Sequence, residues 1–260
     1  MALNCGIVGL PTSGKTTMFQ SLLKGRADSQ LMHGKTNIGQ IEVPDLRLKA
    51  LADVVKPAKV VPTTIEIIDI PGLAKGSSSQ KGGNQFLSDI RNTDAIIHLL
   101  RCFDNDAVPH SEGSVNPLRD KEIVDLELIF KDLETLEKKI QRLDKLSRVG
   151  DKEARQGLEV LARLQAHLEE GNPVRSFEIA EDDKKLLDDC FFLSIKPVIY
   201  VCNVDEQAAA TGNQYTEMVK DAIAAEGAGM LIIAAQSEAE IAQLDDEEDR
   251  MAFLSDLGLE

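Results

Sequence analysis

Nine residues near the start of the chain constrain its fold more than any other stretch: Gly9-Leu10-Pro11-Thr12-Ser13-Gly14-Lys15-Thr16-Thr17. They follow the apolar run Leu3 to Val8 and precede a helix-like segment, Thr17 to Lys24. Strand, then Gly-x4-Gly-Lys-Thr, then helix is the pattern of a phosphate-binding loop. Such a loop, here Pro11, Thr12, Ser13, Gly14, Lys15, Thr16 and Thr17, turns backbone N–H groups onto phosphate oxygens, and the helix N-terminus adds a favourable dipole. Lys15 is expected to reach the β- and γ-phosphates as the catalytic cation, and the Thr16 hydroxyl to ligate Mg²⁺. The alternative is a chance match in a glycine-rich loop, which the two flanking elements disfavour.

The length of 260 residues suits one large domain or two modest ones, and 43% hydrophobic with 28% charged residues is ordinary for a globular protein. No apolar run approaches the ~20 residues that span a bilayer, and the N-terminus lacks a signal-peptide pattern. The expectation is a cytoplasmic, monomeric protein without membrane contact. Cys5, Cys102, Cys190 and Cys202 are far apart with no Cys-x2-Cys pair, which reads as buried thiols rather than a metal site. A net charge of -15 argues against coating nucleic acid, yet the charge is uneven. Lys138, Lys139, Arg142, Lys145, Arg148, Lys152 and Arg155 cluster within residues 138–155, whereas the last 25 residues are strongly acidic.

Residues 25–37 show no periodicity and sit where switch proteins carry switch I. Ile38 to Val43 reads as a strand, Leu46 to Val55 as a short helix closed by Pro57. Thr63 to Ile70 is a β-prone run that delivers Asp69, followed by Pro71-Gly72-Leu73. Asp-x-x-Gly beside a phosphate loop has a mechanical role: Asp69 holds Mg²⁺ through water, and the Gly72 amide senses the γ-phosphate. Ala74 to Asn84 reads as a flexible switch II, Gln85 to Arg91 as a helix and Ala95 to Phe103 as a buried strand, before a polar loop holding His110.

A long helix is expected from Asp120, with Leu126, Leu133 and Ile140 on one heptad position and Ile129, Leu136 and Leu143 on the other. Gly150-Asp151 breaks it, and Leu158, Leu161, Leu164 and Leu168 mark a returning helix. Ala180 to Phe192 reads as a further helix, Pro197 to Asn203 as a strand, Gln214 to Glu226 as a helix, Met230 to Ala234 as a strand, and Glu238 to Leu257 as largely helical. The fold class is α/β: a doubly wound, mostly parallel sheet with an inserted antiparallel helical hairpin or coiled coil. Residues 1–117 and 197–260 form the nucleotide-binding domain and 118–196 the insertion.

Several runs together resemble the YchF family of Obg-like P-loop ATPases. They are Cys5-Gly6-Ile7-Val8-Gly9-Leu10-Pro11, Val43-Pro44-Asp45-Leu46-Arg47-Leu48, Asp69-Ile70-Pro71-Gly72-Leu73, Arg101-Cys102-Phe103-Asp104-Asn105-Asp106, Val115-Asn116-Pro117 and Asn203-Val204-Asp205-Glu206. The matches are collinear across nearly the whole chain. The resemblance implies an ATP-hydrolysing member of the translation-factor-related GTPase class, with a coiled-coil insert and ribosome association. It also implies a C-terminal TGS domain, which would begin where this chain stops, at Gly258-Leu259-Glu260, as in a truncated chain or a shortened paralogue. His33-Gly34-Lys35-Thr36-Asn37 replaces the family's switch I motif, leaving Thr36 as a displaced metal-binding threonine, and Thr12-Ser13 replaces the usual Asn-Val.

GTPases read guanine with Asn-Lys-x-Asp; here Asn203-Val204-Asp205-Glu206 lacks the lysine and lengthens the carboxylate by one methylene. A misplaced bidentate acceptor loses discrimination. The resemblance implies adenine instead, contacted by Asn203, Val204 and Glu206, with the Asn203 oxygen accepting from N6; alternatively Asn203 only caps its turn. Leu73 stands where a water-orienting glutamine would, so another group must act or turnover is slow. The resemblance points to His110, which could equally be a solvated loop histidine. The basic tip 138–155 suits ribosomal or other RNA, although a solvated face is the plainer reading. Two rivals stay open: a GTPase, and a nucleotide-gated binding module without turnover.

Overall fold

The apolar runs form β1 (Leu3–Val8), β2 (Asn37–Glu42), β3 (Thr64–Asp69), β4 (Ala95–Arg101), β5 (Val198–Asn203) and β6 (Gly229–Ile233). The structure is a computed structural model that describes residues 3–23, 36–71, 81–244 and 246–259. All six strands join one sheet in the order β2-β3-β1-β4-β5-β6, parallel except for β2, which runs antiparallel along β3 at the edge. The inner strands are apolar at successive positions because both of their faces are covered. Ile7, Ile67, Leu99 and Val201 meet α1 (Lys15–Leu22) and α7 (Ala235–Ile241) through Phe19 and Ala235. On the opposite face Val8, Ile68 and Ile96 pack with Phe86 and Ile90 of α3 (Lys81–Arg91). Tyr200 and Cys202 pack against Val219 of α6 (Gln214–Ile223). Helices on both faces make the sheet doubly wound, as expected. Short helices α2 (Leu46–Val55) and α8 (Glu247–Asp256) lie outside these clusters, and no described helix is long and apolar enough to cross a membrane.

Between β4 and β5 the chain runs out along α4 (Pro117–Arg148) and back along α5 (Lys152–Glu169). The long helix begins at Pro117 rather than Asp120, because Asn116 caps it by accepting the Arg119 N–H and proline suits its first position. Ile129, Leu136, Leu161, Leu164 and Leu168 are almost fully buried between the two helices, each contributing about 2 kcal/mol of apolar burial. Gly150 at φ 95 and the Asp151 cap form the turn. Ile123, Val124 and Leu128, however, belong to the sheet's own core. The first turns of α4 thus pack with the sheet before the helix runs on to pair with α5.

Two polar fastenings seat the root of the arm. Asp132 accepts the N–H groups of Leu193 (2.7 Å) and Ser194 (2.8 Å) and the Ser194 hydroxyl (2.6 Å). Lys121 pairs with both Asp125 and Glu226 at 2.8 Å, and the Tyr200 hydroxyl donates to Glu226 at 2.7 Å. The segment expected as a helix over Ala180 to Phe192 is instead two 3-10 turns, Glu181–Leu186 and Asp188–Cys190, ending at Phe191 with φ 49. Four aspartates at 182, 183, 188 and 189 lower its helical propensity and leave no apolar stripe of helical period. Glu238 to Leu257 likewise divides into α7 and α8, the latter capped by Asp246.

Candidate functional site

Parallel register gathers the site at one edge of the sheet. Ile7 pairs with Asp69 and Arg101 with Asn203, so the carboxyl ends of β1, β3, β4 and β5 lie side by side. Ligands of open α/β sheets bind along this edge.

The loop after β1 folds tightly there. A Cβ on Gly9 would stand 2.4 Å from the Leu99 carbonyl oxygen, and one on Gly14 (φ 99) would stand 2.3 Å from Asn203 Nδ2. Both positions therefore exclude side chains. Thr12 adopts φ 63, a left-handed conformation unusual for a branched residue. Because α1 starts at Lys15, two residues before the expected Thr17, its first N–H groups face the loop. Lys15 is buried and folded back: its Nζ donates to the carbonyls of Leu10 (2.8 Å) and Gly9 (3.1 Å). Burial lowers its pKa to about 8, with nearby Asp69 opposing the shift. The buried Ser13 hydroxyl has no hydrogen-bond partner among the described residues. An ammonium and an orphaned hydroxyl in one cradle are what an oxyanion would satisfy.

Thr16 donates its hydroxyl to Asp69 Oδ2 at 3.0 Å, and burial raises the Asp69 pKa while the Thr16 bond opposes it. Thr16 and Asp69 thus bring two hard oxygen donors together where Mg²⁺ would be held, directly by Thr16 and through water by Asp69. No cluster of three or more His, Cys, Asp or Glu suited to a metal occurs among the described residues. Any cation here would thus depend on phosphate oxygens and water for its remaining ligands. Thr36, expected as a third metal donor, is not directed there: its hydroxyl donates to Asp89 of α3 at 2.5 Å. Asn37, one residue on, reaches Asp69 Oδ2 at 3.5 Å, since the β2 register sets Asn37 opposite Asp69. Gly72 lies outside the described residues.

Beside the loop opens a cavity of about 560 Å³ bordered by Thr12, Gly14, Phe103, Val204, Glu206 and Ser237. Asn203 also borders this cavity, and its amide is held by the backbone. Its Nδ2 donates to the Ser13 carbonyl (2.9 Å) and its Oδ1 accepts the Ala235 N–H (3.0 Å), bracing the phosphate loop against the start of α7. Val204 is 4% exposed and Glu206 is exposed. The turn from β6 into α7, Ala234 to Ser237, also borders the cavity and was missed from the sequence. Its only signal was small residues following the carboxyl end of a strand.

His110, expected to address water, is buried and engaged at both ring nitrogens. Nδ1 accepts the Glu112 N–H (3.0 Å), which leaves the proton on Nε2, donated to Asp120 Oδ2 at 2.7 Å. Asp120 Oδ1 is held in turn by Arg119 Nη2 at 2.8 Å. In this conformation His110 has no nitrogen available to a water molecule. The basic tip is also less cationic than its composition suggests. Asp189 pairs with Lys139 and with Arg142 (2.5 Å), which hold its carboxyl down at about 2, and Arg148 pairs with Asp144 (2.7 Å). Lys138, Lys145, Lys152 and Arg155 have no ion pair among the described residues.

Residues 4–141 match the profile of a family described as "50S ribosome-binding GTPase". The whole chain is 43% identical to the ribosome-binding ATPase YchF of Bacillus subtilis (strain 168), covering 72% of that protein. It is 42% identical to the protein of the same description from Escherichia coli O157:H7, again over 72% of its length. Among solved structures, the Schizosaccharomyces pombe YchF GTPase superposes with a TM-score of 0.83 at 29% identity, covering 99% of this chain and 72% of that one. Sequence and fold agree across the loop, the sheet and the arm, and the chain belongs to the YchF family of P-loop nucleotide hydrolases.

Proposed function

We propose that the chain is a nucleotide-dependent switch that binds ATP and hydrolyses it slowly to ADP and phosphate. One observation carries this reading: Lys15 is buried against the carbonyls of its own loop, near a Ser13 hydroxyl that has no partner among the described residues. Pro11 to Thr17 wrap the phosphates, and Lys15 exchanges its two carbonyl partners for phosphate oxygens. Thr16 and Asp69 would hold Mg²⁺, which supplies neutralisation of charge developing on the phosphates. Gly72 remains the expected γ-phosphate sensor.

ATP rather than GTP follows from Val204 and Glu206 in the base-reading turn and from the adenine preference that the resemblance implies. The bacterial relatives are described as ATPases and the fission-yeast structure as a GTPase, so competition between the two triphosphates is the direct test. Micromolar GTP binding without ATP binding reverses the choice. The arm, residues 118–196, works with the nucleotide domain, 1–117 and 197–260, as the contact to ribosomal RNA. Lys138, Lys145, Lys152 and Arg155 supply its uncompensated charge in the cytoplasm. Replacing those four by alanine is expected to flatten the salt dependence of ribosome cosedimentation.

A second reading, a nucleotide-gated binding module without turnover, is favoured by the engagement of both His110 nitrogens. Single-turnover hydrolysis decides between them. Lys15→Ala should abolish the wild-type rate, and His110→Ala should slow it about a hundredfold if the ring leaves Asp120 to orient water. Equal background rates in wild type and Lys15→Ala favour the binding module.

A further inference from the structure

Arg101 ends β4 at the site edge and is 2% exposed, yet it forms no ion pair among the described residues. Buried guanidinium groups ordinarily sit against a carboxylate, because desolvating an unpaired charge is costly. This one spreads its donors over three backbone and hydroxyl oxygens instead. Nε donates to the Phe103 carbonyl (3.2 Å), Nη2 to the Asn105 carbonyl (3.4 Å) and Nη1 to the Thr12 hydroxyl (3.4 Å). Its Cζ also lies 4.6 Å from the centre of the Phe103 ring, within cation–π range. Phe103, Asn105 and Thr12 all border the cavity, whereas Arg101 stands behind them.

The same segment is fastened from α6. Asn213 donates to the Cys102 carbonyl at 2.7 Å and the Tyr215 hydroxyl to Asp104 at 2.9 Å. Asn203 ties the neighbouring Cys102 to Ser13, and among the described residues Arg101 is the side chain hydrogen-bonded to both Phe103 and Thr12. The planar fork with diverging donors makes this bridge possible, and a lysine could not reproduce it.

We propose that Arg101 is a positioning residue that holds an aromatic base platform, Phe103, in register with the phosphate loop. The proposal rests on the nucleotide reading above. It makes one side chain the link through which a purine base and a polyphosphate are recognised together rather than separately. Its shortest bond goes to the Phe103 carbonyl and its guanidinium lies over the Phe103 ring, so base-dependent affinity is what it should control.

The test measures binding of Mg·ATP and of Mg·tripolyphosphate by calorimetry to the full chain, for wild type, Arg101→Lys, Arg101→Met, Phe103→Ala and the double variant Arg101→Met/Phe103→Ala. Arg101→Met is expected to weaken ATP at least tenfold and tripolyphosphate less than threefold. The double variant should bind ATP within threefold of Phe103→Ala alone, because each change removes the same platform. Arg101→Lys keeps the charge and should behave as Arg101→Met does; if Arg101→Met does not fold, Arg101→Lys carries the comparison. Parallel losses for the two ligands, additive losses in the double variant, or full rescue by lysine would each overturn the proposal. Wild type that binds neither ligand defeats the nucleotide reading instead.

Discussion

Raising the pH from 7.5 to 9.0 discharges Lys15 in the nucleotide-free protein, because burial brings its pKa down from 10.5 to about 8. From that value about three quarters of the molecules carry the ammonium at pH 7.5 and about a tenth at pH 9.0. If only the ammonium form accepts the phosphates, the dissociation constant for ATP rises about eightfold across the window, with proton uptake on binding. The sign for stability is opposite to that of a lysine gaining a partner. The folded value lies below the unfolded one, so the charged lysine costs the free protein about 3 kcal/mol below pH 8, and the cost recedes between pH 8 and 10.5. The bound phosphate removes it by supplying a counter-charge. Calorimetry in buffers of different ionisation enthalpy measures affinity and proton uptake together. The window avoids the last phosphate ionisation of the nucleotide. An affinity constant within twofold, or the same slope in Lys15→Arg, would refute the reasoning, since arginine stays charged throughout.

Gly14→Ala should lose ATP binding at least a hundredfold and cost about 2 kcal/mol, because φ 99 strains any side chain and the Cβ meets Asn203; chemical denaturation and calorimetry check both. Asp132→Ala leaves two buried N–H groups without acceptors and should cost about 3 kcal/mol, read as a thermal midpoint lowered by roughly 6–12 °C. Asp132→Asn should recover part of this. Leu164→Ala opens a cavity between α4 and α5 and should cost about 2–5 kcal/mol, with hydrogen exchange accelerating in the arm before the sheet.

Much of this molecule was readable without coordinates. Leu3 to Val8, Ile38 to Val43 and Pro197 to Asn203 are local apolar runs of strand length, and the heptads through Leu136 and Leu164 carry their own period. The failures are equally specific. Ala180 to Phe192 contains enough apolar residues to suggest a helix, but its paired aspartates and the Asp189 bridges to α4 curl it into 3-10 turns. The two backbone partners of the Asn203 amide, Ser13 and Ala235, lie 190 and 32 residues away in the chain and leave no local signature.

Local chemistry therefore determined that a polyphosphate loop follows β1 and that an aspartate ends a nearby strand. Glycine tolerance, helix dipoles and apolar period act over a few residues and are written in the chain. Which oxygen each donor meets was decided only by the tertiary structure. Thr36 with Asp89, His110 with Asp120 and Arg101 with Thr12 are partnerships set by strand register and helix packing. Hydrogen bonds tolerate errors of only a few tenths of an ångström, and no short-range rule places groups that far apart in sequence so accurately.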